Sequence, residues 1–429
     1  MFSRRVPVRE IFYSVTSLKD LFSKLDKLNV TPPKVEVSVW EALGRVLAED
    51  FRSPVNVPHF RRAARDGYAV VARDTFGAGE EEPVTLKVVG EVKAGDEQAP
   101  QVSEGTCVRV ATGALMPDGA DAVVMVEHTV EGEGHIKVYR AVTPGENIVE
   151  EGKDIRRGEL VVKEGRVLSP QDVGAIAATG VEKVRVYGKL KVAVASTGDE
   201  LVKLGEELRP GKIYDVNSVT LINAVRASGG EPFYMGIVRD NREAIIKVLR
   251  SALTTCDLVV FSGGTSKGPG DAVPSALREL EALDFMVHGL AMKPGKPTAV
   301  ASHKGKPIFM LPGHPTSALL TYYVIVDPYI RKWSYLPPRE GMEVKARAGV
   351  RIFSEEGRLE FKPVRLRKEE NELIAYPTPT GSEAITTLTS THGYIEIKAN
   401  RSFIEQGEEV TVKLFRPIWE INEPEEEFL

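Results

Sequence analysis

Leu190-Lys191-Val192-Ala193-Val194-Ala195 runs directly into Ser196-Thr197-Gly198-Asp199-Glu200-Leu201. A short strand that is apolar on both faces must be covered on both, which is the mark of a parallel sheet between two helical layers. The same pattern recurs twice. Leu258–Phe261 leads into Ser262-Gly263-Gly264-Thr265-Ser266-Lys267-Gly268-Pro269-Gly270-Asp271, and Ile308–Leu311 into Pro312-Gly313-His314-Pro315-Thr316-Ser317. Helical periodicity is predicted between them at Val219–Ala227, Ala244–Leu253 and Ala272–Leu283, and after them at Thr316–Arg331. Residues 189–332 therefore read as a three-layer α/β domain with a parallel-rich sheet.

Outward from this domain the texture changes. Residues 56–141 carry alternating strands at Thr85–Val89, Cys107–Val110, Ala122–Glu127 and His135–Tyr139, split by Gly and Pro clusters. An amphipathic helix is predicted over 17–29 with Ser17 as N-cap, a second over Val39–Leu47 and another over Pro170–Thr179. Residues 1–55 and 142–188 are expected to form one elongated N-terminal domain, with the 56–141 β domain inserted into it. Beyond Pro337-Pro338, strands at Val344–Phe353, Arg358–Arg367, Leu373–Tyr376, Tyr394–Lys398 and Val410–Phe415 predict a small β-barrel or sandwich over 333–429. The fold class is thus multi-domain, α/β with all-β parts.

With 429 residues, two to four domains are expected, and 42% hydrophobic residues suffice for several cores. No apolar run reaches membrane-spanning length and the N-terminus lacks a signal-peptide core, so a cytoplasmic chain with no membrane partner is expected. A net charge of −5 argues against a nucleic-acid partner. Cys107 and Cys256 have no paired spacing, and the histidines show no metal-ligand spacing. Gln is scarce, with four in the chain, a bias seen in proteins from hot environments.

In open parallel sheets ligands bind beyond the carboxyl ends of the strands. The three segments there are rich in Gly, Ser and Thr. Glycine lets backbone N–H groups approach a phosphate, and a helix N-terminus adds positive potential. No G-x-x-x-x-G-K-[ST] occurs, so this is not a P-loop NTPase, and the lack of a G-x-G-x-x-G argues against a Rossmann dehydrogenase. Met292-Lys293-Pro294-Gly295-Lys296-Pro297 holds two cations in a stiff segment suited to an oxyanion. Asp66, Asp154, Asp199, Glu200 and Asp271 lie in loops, where a carboxylate beside a phosphate can hold Mg²⁺. No G-x-S-x-G elbow accompanies His314 and Ser317.

Taken together the motifs resemble the MoeA-type molybdenumtransferases, the family that includes the E-domain of gephyrin. They run in family order: Arg65-Asp66-Gly67-Tyr68-Ala69-Val70, Ala111-Thr112-Gly113-Ala114, Asp121-Ala122-Val123-Val124, Gly145-Glu146-Asn147 and Gly152-Lys153-Asp154-Ile155. Then come Ser196–Leu201, Tyr214-Asp215-Val216-Asn217, Ser262–Ser266, Lys293–Pro297 and Leu311-Pro312-Gly313. The resemblance implies four domains and a homodimer. It implies insertion of molybdate or tungstate into adenylylated molybdopterin, with Mg²⁺-dependent release of AMP, and a transient contact with the pterin adenylyltransferase.

Carried over position by position, the resemblance makes Asp66, Thr112, Asp154, Glu200, Asp271, Lys293 and Lys296 the functional residues. Glu200 and Asp271 would position the metal. Thr197, Gly198, Asp199, Asp215, Asn217, Ser262, Gly263, Gly264, Thr265, Ser266, Pro297, Pro312 and Gly313 would line the substrate site. Asp66 and Thr112 would face the α/β loops of a second subunit.

The chain departs from the family pattern at Ala63-Ala64-Arg65, at His314, and in the last domain. There Lys362 or Arg365 would stand in for an arginine, and Thr386 or Thr387 for a serine. Two other functions share parts of this pattern. A pterin adenylyltransferase would need only about 189–332, and a non-catalytic scaffold would not need the acidic and lysine residues.

Overall fold

The computed structural model describes residues 15–264, 272–339, 342–369, 372–378 and 385–415. Two compact units divide the chain, Val35–Val186 and the remainder on either side of it.

The larger unit is built on a six-stranded sheet in the order 231–238, 191–197, 258–262, 306–311, 299–303, 283–288. The first four strands run parallel, 299–303 runs against them, and 283–288, antiparallel to 299–303, runs in the direction of the first four. Alternation along one strand shows why both faces are covered. Val192 and Val194 enter one core with Leu221, Val225, Phe309, Ile325 and Ile330. Ala193 and Ala195 enter the opposite core with Ile245, Leu249, Phe261 and Met310. Each fully buried Val, Leu or Ile contributes roughly 1.5–3 kcal/mol, so this double burial holds the strand ends firmly. After strand 191–197 the chain adds 231–238 on one side and 258–262 on the other. The sheet's order reverses there, and the loops at that point are Gly198–Glu200 and Gly263–Gly264.

The helix expected over 17–29 is present at Leu18–Leu25, capped by the Ser17 side chain. Leu18, Leu21 and Leu25 pack into the first sheet core rather than among residues 142–188. The helix expected over Ala272–Leu283 ends at Arg278, because Ala282 adopts φ +57° and Leu283 begins a strand. That expected over Thr316–Arg331 runs Pro315–Trp333 but widens to a π-turn at Tyr322–Val326. Pro328 lies just beyond it, and lacking an N–H it cannot complete the α-helical bond back to residue 324.

The last part of this unit closes into a five-stranded barrel. Strands 343–348, 372–377, 359–369, 393–397 and 409–414 pair in a ring, around Ala346, Val364, Leu366, Ala375, Ile395 and Val412. Outside the ring, Met292–Lys293 pairs in parallel with Leu359–Glu360.

The smaller unit contains a half-barrel sheet in the order 122–125, 67–70, 106–110, 84–92, 135–138, 129–132. Shorter pairs join 62–63 to 148–149 and 51–52 to 160–162. The helix expected over Val39–Leu47 is a single 3-10 turn, Val39–Glu41. Gly44 takes φ +72°, and Leu47 and Ala48 give their N–H groups to Arg166 and Arg185 instead.

Candidate active site

In the larger unit the strand-end segments meet. Gly263 has φ +96°, and a Cβ there would stand 2.2 Å from the Thr197 carbonyl oxygen. A Cβ on Gly313 would reach the Gly263 Cα at 3.6 Å. At Gly263 only glycine permits this approach, while at Gly313 a Cβ would make ordinary contact. The Ser262 hydroxyl donates to the Pro312 carbonyl at 3.1 Å. Asn217, in the first turn of helix Val216–Ala227, donates to the Ser262 hydroxyl at 2.7 Å and to the Gly313 carbonyl at 2.6 Å. Asp215 caps that helix through the Ser218 N–H at 3.0 Å. Both donors of the Asn217 amide are thus used, while its Oδ1 is buried and has no hydrogen-bond partner among the described residues. A buried acceptor left open at a strand edge is a place for a ligand donor.

Carboxylates flank this edge. Glu200 is exposed, and its oxygens stand 2.7 Å from where a Cβ on Gly198 would lie. Asp240 accepts from the Thr197 hydroxyl at 3.2 Å and lies 3.2 Å from the Cβ position of Gly264. Its own N–H donates to Asp199 at 3.4 Å, and the Lys212 ammonium donates to the Asp199 carbonyl at 2.5 Å. Sequence reading missed Asp240. It follows strand 231–238, which the pattern of Glu231–Val238 did not disclose, although an acidic residue after that strand was the available signal.

Among the described residues no group of three or more His, Cys, Asp or Glu is arranged to hold a metal. Glu200 and Asp240 are each hard oxygen donors of the kind Mg²⁺ takes together with ligand oxygens and water. Thr265, Ser266 and Asp271 lie outside the described residues.

The lysine segment joins strands 283–288 and 299–303 at the same carboxyl edge of the sheet, where His288 pairs with Ala299 and Ala299 with Met310. Gly295 has φ +109°, and a Cβ there would meet Thr321 Oγ1 at 2.8 Å, so the turn sits on the helix that follows Gly313. Lys293 Nζ lies 3.5 Å from Glu355 and 3.9 Å from Glu360. Lys296 and Pro297 are half-buried in the same turn. Lys362 reaches the same Glu360 oxygen at 3.3 Å, so this barrel lysine, and not Arg365, joins the lysine segment through a shared carboxylate. Thr387 is buried, and the Thr386 and Thr387 carbonyls accept bonds from within their own turn.

Glu360 is 3% exposed. Burial alone would raise its carboxyl. The Ser354 hydroxyl, the Lys362 ammonium, the Glu355 N–H and the Lys293 ammonium outweigh that and hold it below the ordinary glutamate value. Glu360 also escaped sequence reading, because its meaning depends on pairing with Lys293, far away in the chain.

In the smaller unit the Asp66 carboxylate accepts from the Thr112 N–H at 2.7 Å. That backbone bond, then the Thr112 side chain, hold Asp66 below the ordinary aspartate value. A Cβ on Gly67 would stand 1.9 Å from the Val124 carbonyl, so Asp66 is followed by an obligatory glycine where the strand enters the sheet. Asp154 is exposed, and its N–H donates to the Val57 carbonyl at 3.0 Å. Asp66 and Thr112 are thus brought together, while Asp154 occupies a separate loop.

These features, an α/β sheet with glycine-lined strand ends beside a lysine-bearing turn, form a domain whose chemistry suits an anionic ligand. Comparison with known proteins places it. Residues 15–180 match the MoeA N-terminal region (domain I and II), 193–332 a probable molybdopterin binding domain, and 345–415 the MoeA C-terminal region (domain IV). The chain is 33% identical to the molybdopterin molybdenumtransferase of Nostoc sp. over 91% of each chain. It is also 33% identical to that of Haemophilus influenzae, over 88% of this chain and 93% of the relative. The crystal structure of a molybdopterin biosynthesis MoeA protein from Pyrococcus horikosii aligns with a TM-score of 0.82 at 39% identity, covering 94% of this chain and all of that one. The chain belongs to the MoeA family of molybdopterin molybdenumtransferases, enzymes of molybdenum cofactor biosynthesis.

Proposed function

We propose that the chain inserts molybdate or tungstate into adenylylated molybdopterin and releases AMP in a Mg²⁺-dependent step. The observation that carries this reading is the junction of Thr197–Gly198, Ser262–Gly264 and Pro312–Gly313, with the open Asn217 Oδ1 beside it. Backbone N–H groups at such a junction suit phosphate oxygens, and the Asn217 oxygen suits a donor on the pterin or adenine. Lys293 and Lys296 supply positive charge for the metal oxyanion. Glu200, with Asp271, would hold Mg²⁺, which would polarise the bridging phosphate so that AMP leaves more readily. Asp240 fixes the Thr197 hydroxyl at the same edge.

On this proposal the working site lies at the contact of two copies, with Asp66 and Thr112 supplied by one and the α/β loops by the other. Mixing Asp66→Ala with Lys296→Ala subunits is then expected to restore activity that neither variant has alone. Absence of complementation in a mixed dimer would remove this part of the reading.

The main test is AMP release from adenylylated molybdopterin with Mg²⁺, with and without either oxyanion, for wild type, Glu200→Ala and Asp271→Ala. Oxyanion-dependent release by wild type, lost in the variants, supports the proposal. Substrate binding without oxyanion-dependent release defeats it.

A further inference from the structure

We propose that Glu360 is a positioning residue that fastens Lys293, from the lysine turn, and Lys362, from the barrel, into one cationic rim for the oxyanion. This rests on the reading of the lysine turn given above and adds two residues from the last domain to it.

The geometry has three independent parts. The backbone brings the partners together, since Lys293 pairs with Glu360 in parallel register and Leu359 gives its N–H to the Ala291 carbonyl at 3.2 Å. The carboxylate is buried and its two oxygens have separate duties. Oε2 accepts from the Ser354 hydroxyl at 2.8 Å and the Glu355 N–H at 3.2 Å, which fixes the group in orientation. Oε1 faces both ammonium groups, Lys362 at 3.3 Å and Lys293 at 3.9 Å. Finally, both lysines keep part of their side chains in solvent, 42% for Lys293 and 29% for Lys362, so each can still meet a ligand.

Two like charges this close repel, and a buried anion between them removes the penalty and fixes the spacing. A surface carboxylate could not do this, because solvent would screen it and its own rotamers would be free. Glu360 thus lets two lysines from distant parts of the chain present a preset double charge, which is how a tetrahedral dianion is held before reaction.

The test uses the full-length protein and reads the KM for molybdate and for adenylylated molybdopterin separately. Glu360→Gln keeps the shape and the Ser354 bond but removes the charge. The expected result is a rise of about tenfold in the molybdate KM, with the KM for the pterin nucleotide little changed. Glu360→Asp is expected to recover part of the loss. A molybdate KM that stays constant or falls would overturn the proposal, because Glu360 would then be neutral or a competitor of the anion. A parallel rise of both KM values would overturn it too, as general damage.

If Glu360→Gln does not fold, Lys293→Met, Lys362→Met and the double variant replace it. Non-additive effects on the molybdate KM support a coupled pair, and additive effects refute it. A wild-type protein with no saturable oxyanion dependence would instead defeat the underlying reading of the lysine turn, whatever the Glu360 variants do.

Discussion

At the sheet edge the groups offered to a ligand are backbone atoms and short side chains: Thr197, Ser262, Gly263, Gly313 and Asn217. At the lysine turn they are long charged side chains, Lys293 and Lys362, arranged around Glu360. The first surface is fixed by covalent geometry and by two hydrophobic cores beneath it. The second is fixed by ion pairs between parts of the chain that meet only after folding. Steric change should therefore damage the first, and change of charge, salt or pH the second.

The largest effect is expected from Gly263→Val. The new Cβ would stand 2.2 Å from the Thr197 carbonyl at φ +96°. A cost of about 3 kcal/mol or more is expected, with a clear fall in Tm by calorimetry and loss of nucleotide binding. An unchanged Tm would show that the loops are not packed as described. Next comes Asn217→Ala, which leaves the Ser262 hydroxyl and Gly313 carbonyl without their donor. It is expected to cost roughly 1–2 kcal/mol, about tenfold in affinity for the pterin nucleotide, while the oxyanion KM is unaffected. Equal effects on both ligands would merge the two surfaces into one.

A smaller effect is expected from acid. Because Glu360 is held below the ordinary value of 4.5, its stabilising contribution is complete above that pH. It is lost as the pH falls through the lower folded value, where the protonated carboxyl no longer holds the lysines. Glu360→Gln should flatten that acid limb in a Tm-against-pH series. An identical slope in wild type and variant would contradict the ion-pair account. The smallest effect is expected from Glu355→Gln. The exposed Glu355–Lys293 pair is worth only ~0.2–1 kcal/mol, so apparent oxyanion affinity should tighten by no more than about fivefold, and less at high salt.

The same contrast explains what could be read without a structure. The sheet strands, the glycine-bearing strand ends and the barrel strands follow from local pattern, because double-sided burial and glycine needs are written in consecutive residues. Asp66 with Thr112, and Asn217 with Ser262, rested on motif resemblance, and the hydrogen bonds between them give it physical content. Glu360 could not be found this way, since a glutamate in a strand looks like any solvated charge until Lys293 pairs beside it. Val39–Leu47 misled for a related reason. Its helical spacing is real, but Gly44 and the pairings of Leu47 and Ala48 with distant residues outweigh weak helix propensity. At Pro315–Trp333 the periodicity correctly foretold a helix, while the π-turn depends on one missing N–H at Pro328.

The most direct test of this two-surface account is to measure molybdate and adenylylated molybdopterin binding separately for wild type and Lys293→Ala. The account predicts that the variant binds the pterin nucleotide within about twofold of wild type and loses molybdate affinity by roughly tenfold or more. Unimpaired molybdate binding, or an equal loss for both ligands, would contradict it.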